Sequence, residues 1–185
     1  MKKSLIPAVT QALAVLSVVL PGGCTKELTE RPPSRRPLVV YMALDNNLRE
    51  EYSSRLAALR AGWRPGMELW VYADTPEGAS LGRMESAPVE RYGAENSASG
   101  ATLERVLRTV WERSPATGYG LLFFSHATGW LPEGGLQAPL VSRSIGLDQG
   151  SEMSLDAFVS AIPSGMPLDY VIFEACLMAG AEVAL

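Results

Sequence analysis

At 185 residues, 47% hydrophobic, with four Trp and six Tyr, the chain has the length and apolar content for one buried core, which excludes a disordered polymer. Its net charge of −4 at pH 7 becomes about −6 once Lys2 and Lys3 are set aside as part of a leader, and so acidic a chain lacks the footprint of a nucleic-acid partner. Two cysteines, Cys24 and Cys176, are too few for a disulfide framework.

Lys2 and Lys3 precede an apolar stretch from about residue 5 to residue 20, which runs into Pro21-Gly22-Gly23-Cys24. That order predicts a secretion signal over residues 1–23. Small residues directly before a cysteine suit lipoprotein processing, in which Cys24 becomes the lipid-bearing first residue and ties the chain to a membrane of the bacterial envelope. Pro21 stands where such a processing site usually has Leu, so simple cleavage or a retained anchor is the alternative. A lipidated Cys24 leaves Cys176 as a lone thiol in an exported chain; taken alone, such a thiol reads as a small buried hydrophobe. Residues 24–37 are charged and proline-rich, as expected of a tether, and the folded domain is expected over 38–185.

Short apolar runs then alternate with segments of helical period. Residues 38–43 and 69–73 read as strands, with a helix over 47–61 between them, capped by Asn46 or Asn47. Leu48, Tyr52, Leu56 and Leu59 would form its buried face, leaving Arg49, Glu50 and Arg60 to solvent. Ser99 announces a second helix over 101–113, with Leu103, Val106, Leu107, Val110 and Trp111 as the buried stripe. Residues 119–125 (YGLLFFS) and 169–175 (DYVIFEA) are continuous apolar runs, the mark of parallel strands covered on both faces. The interval 131–152, rich in Gly, Pro and Ser, reads as a surface loop with Arg143 as its one basic residue.

Both apolar runs end in candidate chemistry. His126, the single histidine, follows one and Cys176 the other, and ligand sites of open α/β sheets lie beyond the carboxyl ends of the strands. If the strands are neighbours, imidazole and thiol face one crevice, and a thiolate needs only a positioned acid or base to pass a proton to the leaving group. The plain alternative for His126 is a polar strand cap bonded to nearby backbone.

Three stretches decide between them: Val40-Tyr41-Met42-Ala43-Leu44-Asp45-Asn46-Asn47-Leu48, Ser125-His126-Ala127-Thr128-Gly129-Trp130, and Glu174-Ala175-Cys176-Leu177-Met178. Together, and in this order, they resemble the clostripain family of cysteine peptidases. The resemblance implies a caspase-like fold: an α/β three-layer sandwich with a mostly parallel central sheet. It implies hydrolysis of peptide bonds after Arg or Lys, with Cys176 as nucleophile and His126 as the acid/base group. The backbone N–H groups of Ala127 and Cys176 would form the oxyanion hole, and Glu174 would hold the substrate's basic side chain.

The chain departs from the pattern at two positions. Ala127 stands where the family has glycine, and a positive φ there would cost on the order of 1 kcal/mol. Glu174 replaces aspartate, which would shift the depth of the basic pocket. A helix starting at Cys176 is expected to favour the thiolate through its positive end. The resemblance also implies possible cleavage of the chain by its own activity, with the bond after Arg143 as the candidate. No cofactor is required; calcium, used by some relatives, would have Asp148 and Asp156 to work with, although two isolated carboxylates read better as solvated loop charges. The expected partner is a peptide or protein. Family members continue well past the cysteine, so the expected sheet is incomplete at its C-terminal side, with an edge left for a further segment or another chain to cover. The alternative function is a catalytically inactive, lipid-anchored fragment or peptide-binding module.

Overall fold

A computed structural model describes residues 36–84, 86–88, 90–128 and 144–179. The leader, Cys24, most of the tether and Arg143 lie outside the described residues. Eight strands are described: β1 Leu38–Ala43, β2 Leu69–Thr75, β3 Gly78–Arg83, β4 Glu90–Arg91, β5 Tyr119–Phe124, β6 Ser144–Asp148, β7 Ser151–Ser154 and β8 Leu168–Glu174. Three helices join them: α1 Tyr52–Gly62, preceded by a 3-10 turn at Asn47–Glu51, α2 Gly100–Arg113 and α3 Leu155–Ser160.

Six strands form one sheet in the order β4-β3-β2-β1-β5-β8. The β2-β1-β5-β8 portion is parallel, and β3 and β4 extend it antiparallel. Val39, Tyr41 and Ala43 of β1 join a core cluster with Leu103, Val106, Leu107 and Val110 of α2 and Phe158 of α3. Val40, Met42 and Leu44 join a second, smaller cluster packed against Leu48, Tyr52 and Leu59. The two-residue alternation of β1 therefore divides the molecule into three layers, α2 and α3 on one face and α1 on the other.

The α2 stripe packs as its spacing predicts, except that Trp111 is only partly buried. The expected helix over 47–61 is two elements, because the Asn46 side chain accepts a hydrogen bond from the Leu48 N–H at 2.8 Å and tightens the first turn into 3-10 geometry. No residue of α1 is fully buried, so its expected apolar face only rests on the sheet.

The expected loop over 131–152 needs correction in its last part. Ser144–Asp148 and Ser151–Ser154 pair as an antiparallel hairpin in which Ser144, Ile145 and Asp148 are buried. Its turn is Gln149-Gly150, both with positive φ (45° and 87°), the conformation that two-residue hairpin turns require. Gly146, at φ +82°, makes a bulge where the register shifts between Ile145 and Leu147. Among the described residues β8 pairs on one side only, and Tyr170 and Ile172 are each 47% exposed on it.

Candidate active site

β5 and β8 are parallel neighbours whose register sets Phe124 opposite Glu174. Two residues beyond these partners come His126 and Cys176, so the two groups emerge from adjacent strand ends on the carboxyl edge of the sheet. Cys176 is exposed to solvent, which corrects its reading as a buried hydrophobe.

The segment that carries His126 is braced on three sides. The Ser125 hydroxyl donates to the Ala43 carbonyl at 3.0 Å and accepts the Leu147 N–H at 3.1 Å, tying the end of β5 to β1 and to the hairpin. The His126 carbonyl accepts the Gly146 N–H at 2.8 Å, and the Thr128 N–H donates to the Ser144 carbonyl at 3.2 Å. Ala127 thereby forms an isolated antiparallel bridge with Ile145 that uses the His126 carbonyl and the Thr128 N–H and leaves the Ala127 N–H out. Gln149 and Leu177 are the described non-glycine residues with positive φ, so Ala127 carries none of the strain that its replacement of glycine threatened.

One partner of His126 was not picked out from the sequence. The imidazole Nε2 lies 2.7 Å from the Asn47 Oδ1. With Nε2–H donating to that oxygen, Nδ1 is the ring nitrogen left to exchange a proton. The neighbouring asparagine frees Asn47 for this contact: Asn46 caps the turn and its amide donates to the Ala43 and Leu147 carbonyls at 3.1 and 2.6 Å. The doubled Asn was the available signal, since one helix start needs only one cap.

The cysteine side differs from expectation. Residues 176–179 form a turn and Leu177 has φ +58°, so among the described residues no helix begins at Cys176. Glu174 is held by the Arg55 guanidinium, and that guanidinium stacks on the Phe124 ring at 4.6 Å from its centroid.

The two acidic residues considered for calcium do not act together. Asp148 is buried rather than solvated, and its Oδ2 accepts the Ser97 N–H at 2.5 Å and the Ser97 hydroxyl at 3.2 Å. Asp156 is exposed in the first turn of α3. No group of three or more His, Cys, Asp or Glu side chains suited to a metal exists among the described residues.

A mostly parallel sheet between helical layers, with imidazole and thiol at neighbouring strand ends, defines an α/β domain with its candidate site at the carboxyl edge of the sheet. The clostripain family model matches residues 40–185, and the chain belongs to that family. Two solved structures are similar over most of it. One is a secreted C11 cysteine protease from Bacteroides thetaiotaomicron in complex with an irreversible peptide inhibitor, at 29% identity and TM-score 0.70, covering 82% of this chain and 45% of that one. The other is an inactive zymogen C11 protease from Parabacteroides distasonis, at 31% identity and TM-score 0.63, covering 83% of this chain and 46% of that one. The chain thus spans about half the length of these structures. The fold is the caspase-like sandwich that the sequence motifs implied. No curated protein sequence matches the chain significantly.

Proposed function

We propose that the chain carries the catalytic dyad of an exported cysteine endopeptidase that cuts after Arg or Lys. The observation that carries this reading is the in-register pairing of β5 with β8, Phe124 opposite Glu174, with His126 and Cys176 each two residues further on. The peptide inhibitor bound by one relative and the description of that relative as secreted support it.

In this mechanism the Cys176 thiolate attacks the scissile carbonyl carbon and the C–N bond breaks, leaving an acyl-enzyme. His126, its ring held at Nε2 by Asn47, delivers a proton through Nδ1 to the departing amine and then takes one from the water that frees the acid. The Ala127 and Cys176 N–H groups face the developing oxyanion, and the Glu174 carboxylate pairs with the substrate's basic side chain. Cys24 carries the lipid that holds the protein on the envelope, and a further segment or another chain covers the free edge of β8.

The test is covalent labelling at neutral pH with an arginine-based electrophile. Cys176 is expected to label in the folded chain, and His126→Ala to slow labelling by two or more orders of magnitude, roughly the usual size of acid–base assistance. Equal labelling of folded and urea-unfolded chains would refute the proposal in favour of an inactive or peptide-binding module.

A further inference from the structure

The carboxylate assigned to the substrate's basic side chain already holds a guanidinium. Arg55 Nη1 of α1 bonds Glu174 Oε1, and the same guanidinium lies over the Phe124 ring at 4.6 Å. Phe124 and Glu174 are register partners on neighbouring parallel strands, so ring and carboxylate stand side by side on the α1 face, two residues short of His126 and Cys176. A carboxylate to pair the charge and an aromatic face to receive the plane is the chemistry that a substrate arginine needs.

Three features mark Arg55 as a displaceable occupant rather than a structural clamp. The Arg55 and Glu174 side chains are 39% and 40% exposed, so water and ligands reach the pair. Its Nε is buried without a hydrogen-bond partner, the Glu51 carboxylate standing 3.8 Å away, so the guanidinium is incompletely satisfied where it sits. The helix that carries it buries no residue fully, and an apolar cavity of about 420 Å³, lined by Met42, Leu59, Leu122 and Phe124 among others, lies beside the pair. That space can take the methylenes of a displaced Arg55 or of an arriving side chain.

We propose that Arg55 is an internal stand-in for the substrate's basic side chain, occupying Glu174 until an Arg or Lys of the substrate displaces it. The inference rests on the proposed function in that Glu174 is taken as the pocket carboxylate. Arg55 then acts on selectivity: it competes with basic side chains, and weakly basic or poorly placed ones fail to open the pair. A half-exposed ion pair with one cation–π contact makes the competent, open state a minor one, and apparent affinity falls by the fraction that is open, roughly tenfold.

Agmatine, a guanidinium with no peptide part, tests this by calorimetric titration of the full chain. Arg55→Met is expected to bind agmatine about tenfold more tightly than the unaltered chain, and adding Glu174→Gln to remove the gain. Equal affinity with and without Arg55, or a gain that survives Glu174→Gln, would overturn the inference. A second measurement covers a variant that fails to fold: in the unaltered chain, saturating agmatine must move the Arg55 Nε–H resonance, and an unmoved resonance would also overturn it. Failure of the peptidase proposal is read separately, from Cys176 labelling that ignores His126→Ala, which leaves the agmatine result untouched.

Discussion

Asp74, near the end of β2, offers a sharp test of the electrostatics beneath the site. Its side chain is 1% exposed and faces Asp148, itself 2% exposed, with Asp45 nearby; Asp148 takes both Ser97 donors, and Asp74 Oδ2 has no partner. Burial is the largest cause that lifts the Asp74 carboxyl from 3.8 to about 7; a Ser97 hydrogen bond opposes it, and the Asp148 charge and hydrogen bond and then the Asp45 charge add to the rise. The folded chain therefore keeps a proton that the unfolded chain releases near pH 4, and stability falls as pH rises from about 4 to about 7. At about 1.4 kcal/mol per unit, the fall totals on the order of 4 kcal/mol. Asp74→Asn cannot ionise, and its amide can donate to Asp148. The variant is expected to match the unaltered chain near pH 4.5 and to exceed it by about 2–4 kcal/mol at pH 8. Urea unfolding of both chains at the two pH values, with equal m-values, measures this directly. Parallel pH dependence of the two, or an Asn variant weaker at pH 8, would refute the account of a proton held on Asp74.

Asn47→Ala removes the group 2.7 Å from His126 Nε2 and leaves the Asn46 cap in place; Cys176 labelling is expected to slow roughly tenfold or more with the melting temperature nearly unchanged. Gly146→Ala places a Cβ at φ +82° and 3.3 Å from the Phe123 ring, so about 1–2 kcal/mol of stability should be lost in urea melts, together with labelling rate, because the same residue's N–H holds the His126 carbonyl. If the full chain is cut after Arg143, Cys176→Ala should abolish the cut on a denaturing gel, and persistence of the product would exclude self-processing.

The parts of the fold legible in the sequence are those whose burial is one-sided or total. The α2 stripe has a 3.6-residue period, β1 and β5 are apolar runs, and β8 carries one from Tyr170 to Phe173, so each announces itself without tertiary information. The β6–β7 hairpin does not: SIGLD and SEMS offer only Ile145, Leu147 and Met153 as apolar residues, and its turn uses Gln149 where Asn or Asp would have been the usual sign of positive φ. Strand β3, GASLGR, is similarly short and glycine-rich, and it shows itself only through its pairing with β2 on one side and the two-residue edge strand β4 on the other. Within the site, His126 and Cys176 were legible as chemistry that ends buried strands. Asn47 and Arg55 were not, since both belong to an exposed segment whose period says helix and nothing about the strand ends it leans over.

The two halves of the site are supported unequally. His126 follows a strand with neighbours on both sides and is fixed by Ser125, Gly146 and Asn47, each bonding a different part of the segment. Cys176 follows a strand paired on one side only among the described residues, and its own stretch is a solvent-exposed turn with Leu177 in left-handed backbone. A positive φ on a γ-branched residue persists only where surrounding contacts hold it. Those contacts include Met178, which is buried against the α2 side of the sheet and anchors the turn one residue later. Thiol placement, and with it the register between sulfur and imidazole, therefore depends on how firmly β8 and Met178 are held, while the imidazole stays put. Any partner segment that pairs with the edge of β8 left open among the described residues would act on the nucleophile first, raising labelling of Cys176 without altering the hydrogen bonds around His126.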